Sequence, residues 1–243
     1  MRRFGPRPAL SAAAVKHLAQ KAKAIAEHKN PKPASKRIYT SSRQAQWFRE
    51  ITLVLKMMSG PGERCMFCSG SECSQVEHFR PKAVFPLQAM EWENLLWVCG
   101  ICNQIKGDRF PPDTEAGEQI INPMTENVWE FFFVDEFGNL TERWSPELGR
   151  PHPRAHTTVR ILGLDRDALQ QTRQFRLEDL KQKTQDALTL LRRGEIDIDL
   201  LRQRVDAWML QPFQPDVADY FLRGPGRAEE PFSKLFERLA AGD

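Results

Sequence analysis

Two pairs of cysteines constrain this 243-residue chain more than any other feature. Cys65-Met66-Phe67-Cys68 and Cys99-Gly100-Ile101-Cys102 each flank a two-residue turn, a spacing that aims both sulfurs at one metal ion. Four thiolates complete the tetrahedral shell of a structural zinc, with no coordination position left for substrate. The alternatives are a redox pair or plain buried thiols, but paired knuckles point to Zn2+. The fifth cysteine, Cys73, is expected as a free or buried thiol rather than a ligand. Thirty residues, 69–98, separate the pairs. A simple zinc ribbon has roughly 15–20 there, so the metal closes a loop large enough to hold secondary structure.

That loop contains Val76-Glu77-His78-Phe79-Arg80-Pro81-Lys82 and Trp92-Glu93-Asn94-Leu95-Leu96-Trp97-Val98, and Asn103-Gln104-Ile105-Lys106-Gly107-Asp108 follows the last cysteine. Each piece alone has an ordinary explanation: Glu-His pairs are common, and an Asn beside a knuckle can cap a helix. Their joint order resembles the HNH endonuclease family, the zinc-knuckle branch of the ββα-metal (His-Me finger) nucleases. The matching residues are Cys65/Cys68, Glu77-His78, Asn94, and Cys99/Cys102-Asn103 with Lys106. Glu77-His78-Phe79-Arg80-Pro81-Lys82 and the later Ile161-Leu162-Gly163-Leu164 are similar to a bacterial subgroup from retron and Septu-type anti-phage systems, whose HNH proteins act beside an ATPase. The resemblance does not cover the N-terminal basic stretch.

Phosphodiester hydrolysis needs an activated water, charge stabilisation and help for the leaving oxygen. His78 is the candidate general base, because a neutral imidazole near its ordinary pKa takes a proton from water at pH 7. The resemblance implies that Glu77 and Asn103 hold a catalytic Mg2+, or Mn2+ in its place, with Glu77 standing where the family commonly has aspartate. It also implies that Asn94 ties the loop to the strand and orients His78, as residues behind the reacting groups do. Arg80, Lys82, Lys106 and Arg109 are the phosphate-contact candidates, each otherwise a solvated surface charge. Because Asn103 directly follows Cys102, zinc is expected to hold the two halves of the magnesium site in register.

The formal charge of +3 hides a gradient. Residues 1–50 carry 12 Lys+Arg against Glu27 and Glu50, whereas residues 113–150 carry nine acids against Arg143 and Arg150. The basic end is either a solvated helix face or an attractor for a polyanion, DNA on the resemblance. Leu10, Ala14, Leu18, Ala22 and Ile25 recur at helical spacing, so residues 10–26 read as a basic amphipathic helix rather than a transit peptide. Lys29-Asn30-Pro31-Lys32-Pro33 should break it. Ser41 and Ser42 should cap a second helix to about Met58. Residues 131–144 should form a β-hairpin, followed by helices near 154–162, from Asp165 as cap to Arg193, over 199–209, around 220–222 and over 232–239.

The fold class expected is α+β, a small zinc-pinned ββα-metal core embedded in a mostly helical chain. Its expected divisions are a basic helix or arm at 1–37, a nuclease core at 38–150, and a helical, partner-docking region at 151–243. No run approaches the roughly 20 apolar residues that span a bilayer, so a cytoplasmic location and no membrane partner are expected. His152 and His156 flank a helix start, where a structural or capping role is expected. Two other functions compete with a DNA-cutting enzyme: a non-catalytic zinc-ribbon binding module, and an effector subunit active only with an ATPase partner.

Overall fold

The computed structural model describes residues 1–2, 4–70, 72–113, 118–211 and 214–241. The first helix, α1 (Ala12–Ala26), is capped by Ser11, whose Oγ accepts from the Ala14 N–H at 3.2 Å. It buries Ala14, Leu18 and Ile25, as its periodicity requires. The second helix differs from the expectation. α2 spans Pro31–Gln44 and starts on the prolines, at the positions where the missing N–H costs nothing. Ser41 and Ser42 therefore lie inside α2 and cap nothing; the Ser41 hydroxyl donates back to Ile38 O at 3.0 Å. A three-residue break precedes α3 (Phe48–Ser59), which buries Phe48, Ile51 and Leu55 and stops at Gly60.

The centre is a hairpin. Strand β1 (Gln75–His78) pairs antiparallel with β2 (Leu95–Val98), in the register Gln75↔Val98 to His78↔Leu95. Helix α4 (Gly100–Lys106) follows β2 after one residue, Cys99. The order is therefore strand, strand, helix, with a cysteine pair just before the hairpin and another at the β2–α4 junction.

The expected second hairpin is present as β3 (Phe132–Val134) and β4 (Leu140–Glu142), paired through Phe133↔Thr141. Asp135 shapes its turn by accepting from the N–H groups of Phe137 and Asn139 at 3.0 and 2.8 Å. Gly138 adopts φ 79° and lies against the backbone of Gln170 and Gln174, where no Cβ fits. Two residues each in β5 (Trp144–Ser145) and β6 (Arg150–Pro151) form a pair too short to leave an alternation in the sequence.

The remainder is helical: α5 (Pro153–Leu162), α6 (Asp167–Arg192), α7 (Ile198–Met209), α8 (Pro215–Ala218) and α9 (Phe232–Ala241). Gly163 ends α5 in the left-handed region at φ 58°. Asp165 does not cap α6, whose N-cap is Arg166 without a side-chain cap bond. Asp197 caps α7, accepting from Leu200 N–H at 2.8 Å. Tyr220, Phe221 and Leu222 are buried in a wide π turn after α8.

Among the described residues one hydrophobic core runs from Met1 and Phe4 through Ile51, Leu96 and Leu162 to Phe221 and Leu235. The basic N-terminal helix thus packs into the same body as the hairpin. The fold is α+β: helices around small antiparallel pairs. None of the helices searched is long and apolar enough to cross a membrane.

Candidate active site

The four paired cysteines converge. Cys65, Cys68, Cys99 and Cys102 are all buried, and their sulfurs lie within 4.8 Å of one another. Cys68 Sγ and Cys99 Sγ are 3.9 Å apart. The sulfur–sulfur edge of a zinc tetrahedron is about 3.8 Å for bonds of about 2.3 Å, and a disulfide would bring two sulfurs to about 2 Å. The donor set therefore fits one zinc ion. Backbone N–H groups already face the sulfurs, as thiolates need: Cys99 N–H donates to Cys65 Sγ and Cys102 N–H to Cys99 Sγ, both at 3.4 Å. Cys73 lies outside the four and directs its thiol to Trp97 O at 3.6 Å.

Arg166 was not visible as a site residue in the sequence. It reaches back from the α5–α6 junction, placing Nη2 3.7 Å from Cys102 Sγ and Nη1 3.1 Å from Leu162 O. A guanidinium beside a ligating sulfur offsets its negative charge and fixes its direction. Losing such a supporting group typically costs 10–100-fold in metal affinity. Arg166→Ala should therefore release zinc about 10–100-fold more readily to a colorimetric chelator, with helix content unchanged.

The hairpin sorts the other site residues by face. Successive strand residues point to opposite sides. Gln75 and Glu77 accordingly face α4: Asn103 donates its amide N–H to Gln75 Oε1, and Lys106 Nζ lies 3.8 Å from Glu77 Oε1. Asn103 Oδ1 and the Glu77 carboxylate are hard oxygen donors of the kind Mg2+ takes in ones and twos, with water completing its shell. A shallow depression of about 570 Å3, lined partly by Glu72, Gln75, Asn103, Gln104 and Gly107, opens beside Asn103. Burial raises the Glu77 pKa, and the nearby Lys106 and Lys82 charges oppose that rise. Lys106 is fully buried, and among the described residues its ammonium has no hydrogen-bond partner. Burial pushes its pKa down to about 8 against the pull of Glu77.

His78 ends β1 on the opposite side, fully buried. Its Nε2 is 3.0 Å from Ala89 O. A carbonyl only accepts, so the proton sits on Nε2 and Nδ1 carries the lone pair. Among the described residues Nδ1 has no hydrogen-bond partner. The Tyr39 ring of α2 covers the imidazole at 4.4 Å between centroids, while its hydroxyl donates to Val76 O at 2.9 Å. Burial, then the Lys82 charge, pushes the His78 pKa down to about 3, so the ring is neutral here. No motif marks Tyr39 in the sequence; it lies on the helix that starts at Pro31, ten residues before the cap expected at Ser41.

Asn94 ties the loop as a bracket. Its Oδ1 accepts from Arg80 N–H at 2.7 Å, and its Nδ2 donates to Arg80 O and Gln88 O, each at 3.0 Å. Gln88 precedes Ala89, whose carbonyl fixes His78. The basic candidates separate. Arg80 is ion-paired with Glu118, and Arg109 donates to the carbonyls of Ile105, Lys106 and Ile161, closing α4 onto α5. Lys106 is internal, as above. Lys82 remains half-buried beside the site, its ammonium 5.3 Å from the Tyr39 ring centroid. His152 packs edge-on to Phe131, and His156 Nδ1 meets Glu142 at 3.0 Å; both lie at the start of α5.

No family model matches the chain. It is similar to the Septu protein PtuB of Bacillus thuringiensis, 33% identical over 113 residues, which cover 40% of this chain and 42% of that protein. The match thus spans well under half the length of its relative.

Proposed function

We propose that this protein is a metal-dependent HNH endonuclease that hydrolyses phosphodiester bonds in DNA, acting in the cytoplasm in bacterial defence against phage. The observation that carries the reading is the zinc-fitted strand–strand–helix unit, which holds a histidine anchored through Nε2 with Nδ1 unpartnered. Mere binding of nucleic acid or protein does not call for the full set of Glu77, His78, Asn94 and Asn103. The similarity to a Septu protein supports the setting.

In this reading His78 takes the proton of the attacking water at Nδ1 while Ala89 O holds the ring's orientation and tautomer. His78 and the Glu77–Asn103 oxygens lie on opposite faces at the end of β1, so in this reading Tyr39 swings aside for a water and a phosphate to reach both across the strand's edge. Hydration then returns the imidazole toward its ordinary pKa, where it is an effective base. Magnesium, held by Glu77 and Asn103, would supply Lewis-acid stabilisation of the phosphate and the leaving oxygen. Lys106 places a positive charge against Glu77 in the same space. Asn94 positions the loop that fixes His78, and Lys82 contacts phosphate at the rim. The helices at 151–243 form the face on which a partner, an ATPase in this proposal, docks.

Nicking of supercoiled plasmid tests the reading. Purified zinc-loaded protein should convert plasmid to the open-circular form with Mg2+, stop when magnesium is withheld, and resume when it is restored. DNA binding with no nicking under either condition, alone and with the co-purified partner, would favour the non-catalytic module instead.

A further inference from the structure

The charge gradient has a definite location in the fold. From His28 to Arg49 the chain holds six basic residues, Lys29, Lys32, Lys36, Arg37, Arg43 and Arg49, and no acid. Most of these lie on or beside α2 (Pro31–Gln44), the helix whose Tyr39 covers His78. At about 100° per residue, Lys32, Lys36, Tyr39 and Arg43 fall within about 60° of one another around the helix axis. Lys32, Lys36 and Arg43 are exposed. Tyr39, in the same stripe, is buried at 3% exposure and turned onto the imidazole.

Among the described residues none of the six basic side chains forms an ion pair with an acid. Several basic residues elsewhere are answered locally, as where Arg176 and Lys183 share Asp179 at 2.6 and 2.8 Å and Lys234 meets Glu230 at 3.3 Å. A solvated helix face ordinarily mixes both signs, whereas an uncompensated row of cations is the footprint of a polyanion. The row is also continuous with the site. The Arg43 guanidinium lies 5.9 Å and the Lys82 ammonium 5.3 Å from the centroid of the same Tyr39 ring. Ser35 of α2 donates to Lys82 O at 3.5 Å, joining the helix to the loop that follows His78.

We propose that the Lys32–Lys36–Arg43 stripe of α2, extended by Lys82, is the track along which the phosphate backbone of the nucleic-acid substrate runs into the His78 site. The inference rests on the nuclease reading above and adds the residues that hold the substrate. The eleven helical rises from Lys32 to Arg43 span about 16 Å, against about 3.4 Å of duplex axis per phosphate on one strand, so the stripe follows about five nucleotide steps. Binding there is electrostatic and indifferent to sequence, because phosphates carry no base information. The track is part of the folded body and edges the histidine, rather than belonging to a loose N-terminal arm.

The test compares three proteins by fluorescence anisotropy on a labelled 30-base-pair duplex over a series of salt concentrations, without added magnesium. They are the wild type, Lys32→Ala/Lys36→Ala/Arg43→Ala, and a charge-matched control, Lys181→Ala/Arg192→Ala/Lys234→Ala, in the groove between α6 and α9. All three α2 side chains are exposed, and alanine suits a helix, so the melting temperature should not fall. The α2 variant should lose affinity on the order of 100-fold at 0.1 M salt, and its log–log salt slope should shrink by about 3. The control should bind as the wild type does. Wild-type affinity and slope in the α2 variant, or equal loss in the control, would overturn the track while leaving the nuclease reading standing. A wild type that neither binds nor nicks DNA would remove both.

Discussion

Cys99→Ser is expected to abolish metal binding, folding of the central hairpin and cleavage in one step. A serine hydroxyl does not ionise at neutral pH and cannot replace a thiolate on zinc. Structural zinc contributes about 10–16 kcal/mol in small peptides at pH 7, as much as the whole stability of an ordinary domain. Cys99 also carries more than its metal bond. It directly follows β2, caps α4 by accepting from Cys102 N–H at 3.4 Å, and stands four residues before Asn103. The Arg166 guanidinium would be left facing an incomplete cluster. Zinc analysis should show well under one ion per chain, thermal unfolding should move down by more than ten degrees or lose its cooperative transition, and nicking should vanish. A variant that stays folded, zinc-free and fully active would show that the cysteines do not organise the site.

The second large effect is at His78. General-base catalysis by a positioned side chain is worth about 10²–10⁴-fold in rate, and that is the loss expected for His78→Asn. Asparagine is preferred to alanine because His78 is fully buried, with its Nε2 committed to Ala89 O and its ring beneath Tyr39. Alanine would leave a cavity and an orphaned carbonyl, either of which destabilises a core by several kcal/mol at worst. Asparagine fills most of the volume and keeps a polar amide on the Ala89 side, short of the Nε2 position, but has no group able to take a proton from water. Zinc content and DNA affinity should match the wild type, so the loss would lie in the chemical step.

The parts legible in the sequence were those encoded locally. The Cys-x-x-Cys spacing gave four converging sulfurs, Leu18 and Ile25 gave the buried side of α1, and the Phe-rich run with Asp135 and Gly138 gave the second hairpin. The parts that were not legible depend on partners far along the chain. Pro31 and Pro33 do separate two helices, since α1 ends at Ala26, but the same prolines also begin α2, which runs on through Ser41 and Ser42 where the sequence suggests a cap. Arg80 and Lys82 look equivalent in sequence. A carboxylate 38 residues downstream pairs Arg80, while Lys82 stays at the rim. Arg166 gives no local sign that it touches Cys102, 64 residues away.

The most direct test of the account is the single-turnover rate at which zinc-loaded wild type and His78→Asn nick the same supercoiled plasmid in Mg2+, measured on proteins shown to share zinc content and melting temperature. The account predicts nicking by the wild type and a rate at least about 10²-fold lower in the variant. Equal rates for two equally folded proteins would contradict it, because the proton acceptor would then lie elsewhere.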